Sequence, residues 1–95
     1  MIVVCVRKDG ITVNGHANYA ETGKDIVCAG VTALTQTLIR ALEGLTKDEI
    51  EYEILTGKVD IHYGNLSEEG RLLVDSFFIG VCLIADEFPD HVRIE

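Results

Sequence analysis

Between Ile50 and Tyr63 the chain alternates twice, as IEYEIL and VDIHY, around Thr56, Gly57 and Lys58. Ile50, Tyr52 and Ile54 fall on one side and Glu51 and Glu53 on the other, and Val59, Ile61 and Tyr63 continue the apolar side. A period of two marks half-buried strands, so this stretch is a hairpin with one wet face and one face that needs a cover. IVVCVR and ITVNG form a second hairpin around Lys8, Asp9 and Gly10, with the Asp-Gly pair of a tight turn. Covers follow each hairpin. Val27, Val31, Leu34, Leu38, Leu42 and Leu45 recur at helical spacing, with Gly44 predicted to end the helix. Ser67 is the expected N-cap of a second helix, favoured by Glu68 and Glu69. Gly70 excludes a reciprocal capping box. This helix runs to about Phe88, Pro89 stops it, and HVRIE supplies a last short strand. The expectation is a single small α+β domain over residues 1–95, in the order ββαββαβ, with a mostly antiparallel sheet and two helices on one face.

Ninety-five residues, 47% of them apolar, suffice for one modest core. A formal charge of −8 argues against phosphate-based nucleic-acid binding and suits a basic protein or peptide. The apolar start MIVVCV ends at Arg7, too early for a signal-peptide core. The longest apolar run, Phe77 to Ala85, is far short of the roughly 20 residues that span a bilayer. No membrane association is expected, and the chain is read as cytoplasmic. The run is apolar all round, so its outer side needs a cover: a second subunit, and hence a homodimer, or the chain's own loops.

Three cysteines without regular spacing make no disulfide framework, and no ligand-spaced cluster calls for a metal or cofactor. Cys5 and Cys82 sit in apolar patterns and are expected to be buried as small hydrophobes. Cys28 differs. With Asp25 as N-cap it lies in the first turn of the first helix, where unpaired N–H groups and the helix dipole favour a thiolate and could stabilise an oxyanion. His16, at the end of the preceding strand, is placed to act as base and then as acid. Thr32 and Thr35 extend a polar edge from Cys28 along the helix, while His62 and His91 are expected to be solvated.

The stretch GHANYAETGKDIVCAGVTAL, Gly15 to Leu34, resembles the signature of the bacterial ribosomal-processing cysteine protease family. Its marks are Gly-His-Ala closing a strand and Asp-Ile-Val-Cys-Ala entering a helix. The resemblance implies a homodimeric cysteine endopeptidase that removes the N-terminal extension of a large-subunit ribosomal protein. That extension is apolar near the cut and is followed by basic sequence. The family's catalytic histidine falls on His16, its nucleophile on Cys28 and its aspartate on Asp25, whose carboxylate could cap the helix, orient His16 or do both. Thr32 stands where the family often has serine. The intervening loop, Ala17, Asn18, Tyr19, Ala20, Glu21, Thr22, Gly23 and Lys24, is expected to act as a substrate lid, with Gly23 as hinge. The alternative is a non-catalytic dimeric module that binds a ribosomal protein, with Cys28 idle or redox-sensing.

Overall fold

The computed structural model describes residues 1–95 as β1 (Ile2–Arg7), β2 (Gly10–Asn14), α1 (Ile26–Leu45), β3 (Ile50–Leu55), β4 (Lys58–Tyr63), α2 (Glu68–Glu87) and β5 (Val92–Ile94). The strands form one sheet in the order β3-β4-β2-β1-β5. Every neighbouring pair is antiparallel except β1 and β5, so the expected α+β order and mostly antiparallel sheet are observed. The first turn is a two-residue loop, as the Asp-Gly signature suggests, but placed one residue earlier than that pair. Only Lys8 and Asp9 lie outside the ladder, and Gly10 already pairs with Arg7 as a strand residue.

Cross-strand register puts Val4 beside Val13, and Ile11 beside Ile61, on one face of the sheet. Both helices cover that face. Val27, Val31, Leu38, Ile39 and Leu42 from α1 meet Val74, Phe77 and Val81 from α2 in a single core with these strand residues. Thr12, Asp60 and His62 line the other face of the central strands. Cys5 lies there too, opposite Thr12 and partly exposed, as Cys28 and Cys82 also are. The expected burial of Cys5 and Cys82 is therefore not observed.

Each helix departs from its sequence pattern in a way that bears on the surface. Leu45 fits the apolar spacing of α1 yet is 72% exposed, because α1 ends there, past the core. Gly44 does not stop the helix; Thr46 is the C-cap, and its hydroxyl donates to the Leu42 carbonyl at 2.6 Å. Thr35 leaves the polar edge for the core, its hydroxyl satisfied by the Val31 carbonyl at 2.7 Å. Back-bonding of this kind lets threonine be buried much like valine. In α2, the Ser67 side chain caps the Gly70 N–H at 3.0 Å as expected. Phe77 and Val81 point inward, while Ile79 and Leu83 are 63% and 65% exposed on the outer surface.

By length and mean hydropathy the one helix that could cross a membrane is α1, not the apolar run of α2. Its apolar side is the centre of the sheet-covering core, the role of a core helix in a globular domain.

The outer hairpin shows the largest difference from the alternating pattern. Tyr52 and Ile54 do share the helix-facing side, opposite Ile61 and Val59. Both are nonetheless exposed, together with Leu55, because β3 is the edge strand and only Ile50, at its start, packs against the core. An apolar strip is thereby left open beside α1.

Candidate active site

Asp25 sets the start of α1. One carboxylate oxygen accepts from the N–H groups of Val27 and Cys28, at 3.0 and 2.9 Å. The other accepts from Tyr19 and Ala20 in the preceding loop, at 3.0 and 3.5 Å. These donors, the Cys28 N–H foremost, hold the Asp25 carboxyl below its ordinary value of 3.8 against the opposing effect of desolvation. All its hydrogen bonds go to backbone, and none goes to His16. Asp25 is thus both a helix cap and a clamp on the loop. Three of the N–H groups at this helix end are thus engaged: Val27 and Cys28 by that carboxylate, and Ala29 by the Asp25 carbonyl at 3.0 Å.

Cys28, the third residue of α1, is partly exposed and faces a groove of about 1150 Å³. His16 enters the same groove from the end of β2. Two close approaches place it. Gly15 has φ 100 and passes so near the Met1 carbonyl that any Cβ would collide with it. The Gly15 N–H is bonded to the Gly57 carbonyl at 2.8 Å, which docks the strand end on the β3–β4 turn. The imidazole lies against that turn, and a Cβ on Gly57 would sit 2.7 Å from His16 Nε2. His16 is exposed and makes no hydrogen bond to Cys28.

The loop between them is divided. Ala17 is only 1% exposed, its N–H directed at Cys28 Sγ at 3.4 Å and its carbonyl 2.9 Å from His91 Nδ1. The Tyr19 ring meets the edges of both Phe88 and His91. Asn18, Ala20, Thr22 and Gly23 face the groove, while Glu21 and Lys24 pair on the outside at 3.0 Å. Asn18 takes a left-handed conformation, φ 55, that asparagine tolerates. Thr32 lies one turn along α1 in the groove wall, and Ile54, Leu55 and Val59 form the opposite wall.

His62 lies on the sheet face away from the helices, exposed as expected. His91 is not simply solvated but half-buried against the loop. Neither His91 nor Gly57 carries a sequence signal for this site. Each is far along the chain from residues 15–28, and only the folded sheet brings it there.

The arrangement offers a thiol, an imidazole and a backbone N–H aimed at the thiol sulfur, beside a partly apolar groove. Residues 1–93 match the family described as Cysteine protease Prp. The ribosomal processing cysteine protease Prp of Staphylococcus aureus is 29% identical over 88% of this chain and 82% of its own length. That of Bacillus subtilis is 30% identical over 86% and 80%. A crystal structure of the essential S. aureus protease, in complex with a covalently linked product peptide, superposes with a TM-score of 0.93. It is 26% identical and covers 100% of this chain and 98% of that one. The chain belongs to the cysteine protease Prp family.

Proposed function

We propose that this cysteine protease removes the N-terminal extension of a large-subunit ribosomal protein in the cytoplasm, with Cys28 as nucleophile and His16 as base and then acid. The observation that carries this reading is that two residues from different elements, the thiol at a helix start and the imidazole at a strand end, face one groove. The thiolate attacks the scissile carbonyl, and imidazolium protonates the departing amine. Water then hydrolyses the thioester, with His16 accepting its proton. The covalently linked peptide in the S. aureus relative accords with such an intermediate. The relatives' name, ribosomal processing protease, supports the substrate class. The exposed Ile54 and Leu55 suit an apolar extension, and the net charge of −8 suits the basic sequence after it. Cleavage of a peptide spanning the extension tests the reading; binding without cleavage would favour a non-catalytic module instead.

The turn at Gly57 gives a second test. With φ 73 and the imidazole so close, Gly57→Ala is expected to cost about 1–2 kcal/mol of stability for the left-handed backbone. It should also displace His16 and slow turnover. Denaturant titration and peptide cleavage read the two effects, and unaltered turnover would mean that the turn does not set the ring.

The homodimer belongs to the same proposal. Ile79 and Leu83, one turn apart and both outward, supply an apolar surface on α2. Ile79→Glu and Leu83→Glu are each expected to give folded monomers, because an unpaired carboxylate is costly to bury in an interface. Sedimentation velocity decides this. A wild-type monomer at micromolar concentration would contradict the dimer.

A further inference from the structure

At the helix start the N–H groups of Cys28 and of its two neighbours, Val27 and Ala29, already have partners. In many thiol and serine hydrolases the nucleophile's own N–H helps to bind the oxyanion. Here the Cys28 N–H is 2.9 Å from an Asp25 carboxylate oxygen, and the Val27 N–H shares that acceptor. The Ala29 N–H is held by the Asp25 carbonyl. Losing those bonds would uncap α1, so a donor is sought outside them.

One backbone N–H faces the reacting atom. Ala17 directs its N–H at Cys28 Sγ from 3.4 Å, and the sulfur is its only hydrogen-bond partner. Ala17 is buried, so water does not compete for that N–H. Its position is fixed from the opposite side, where His91 Nδ1 lies 2.9 Å from the Ala17 carbonyl. A carbonyl only accepts, so Nδ1 carries the proton and Nε2 is left without one in the neutral ring. The Tyr19 ring closes over His91, with ring centres 5.4 Å apart.

We propose that the Ala17 N–H is the oxyanion donor of this protease and that His91 is the positioning residue that aims it; the proposal rests on Cys28 being the nucleophile. Before attack the N–H donates to the sulfur. On attack the Sγ–C bond forms, and the carbonyl π pair moves to oxygen, one bond further from the sulfur. The neutralised sulfur then becomes a poor acceptor, and the N–H turns to the new oxyanion. Collapse restores the carbonyl and breaks the C–N bond, and the amine leaves with the proton held by His16. In deacylation, water attacks the thioester and gives its proton to His16. The same N–H binds the second oxyanion until the thiolate is expelled. A donor that follows the charge in this way acts in the transition state more than in the substrate complex.

The direct test replaces the Ala17 N–H by an ester oxygen. The chain is synthesised in two segments joined at Val27–Cys28, with lactic acid in place of Ala17. Because that N–H bonds only to the sulfur, the ester should melt near the wild-type temperature. Its kcat should fall on the order of 100-fold or more, with KM little changed. A folded ester with wild-type kcat would overturn the donor role. His91 is tested by His91→Ala, expected to lower kcat by up to about 100-fold at similar KM through misplacement of the donor. His91→Asn keeps a side-chain N–H toward the same carbonyl and should restore most of the loss. These two variants also decide the matter if the ester fails to fold: wild-type kcat in His91→Ala, or equal loss in both, overturns the positioning of the donor. Cys28→Ala is assayed alongside. Retained cleavage there would refute the nucleophile, whereas lost cleavage there with wild-type kcat in the ester would refute the donor alone.

Discussion

Cys28→Ala is expected to leave the domain folded and to abolish peptide cleavage. The expected loss is on the order of 10⁶-fold, the scale seen when a hydrolase loses its nucleophile. The fold should survive because Cys28 lies at the rim of the groove, and its sulfur accepts one hydrogen bond, from Ala17. Thermal melting and cleavage of an extension peptide separate the two effects. Alkylation gives an independent measurement. All three cysteines are partly exposed, so exposure alone does not rank them. Faster labelling of Cys28 than of Cys5 and Cys82 at neutral pH would therefore report its electrostatic setting at the helix start beside the Ala17 N–H. Labelling no faster than the other two, or cleavage by Cys28→Ala, would contradict its role.

Asp25→Asn is expected to be more damaging than a simple cap exchange. Asparagine caps a helix about as well as aspartate. But both Asp25 oxygens are in use, one on the helix and one on the loop. An amide has only one oxygen, so its NH₂ would face either the Tyr19 and Ala20 N–H groups or those of Val27 and Cys28. If the oxygen stays on the helix, the cap survives and the loop loses its clamp. Turnover should fall clearly and the melting temperature moderately, with Asp25→Ala worse on both measures. The pH dependence has a definite sign. The folded-state value lies below the ordinary 3.8, so the charged carboxylate contributes stability above that value, and the contribution is lost as pH falls through the folded value. Melting temperatures over this acidic range should therefore fall more steeply for wild type than for Asp25→Asn. Parallel curves, with unchanged activity in the variant, would show that Asp25 is only a cap.

How much of this was legible in the sequence depends on the range of the contacts involved. The hairpins follow from alternation, the helices from their apolar spacing, and the Asp25 and Ser67 caps from their position before each helix. These are local signals, and the structure reproduces them. Lateral extent is not local: nothing in IEYEIL tells an edge strand from a covered one, so the exposure of Tyr52 and Ile54 appears only once the strand order is known. The same holds for Cys5, whose place on the uncovered face depends on which side of the sheet the helices pack. His16 and Cys28 could be singled out because they lie on either side of one short loop. His91 reaches that loop from 74 residues away, through the parallel pairing of β5 with β1. Asp25 shows the limit within a local motif. Its position announced a cap, whereas the second oxygen's hold on Tyr19 and Ala20 depends on how the loop folds back.

We propose that this chain cuts a ribosomal protein precursor through a thioester on Cys28. This is tested most directly by incubating the pure protein with the large-subunit precursor of its own organism and measuring intact masses. The account predicts two fragments, whose masses add to that of the precursor plus one water, with the cut at the end of the apolar extension. It also predicts uncut precursor with Cys28→Ala and with His16→Ala. A precursor left whole by the wild-type protein, or cut equally well by Cys28→Ala, would contradict it.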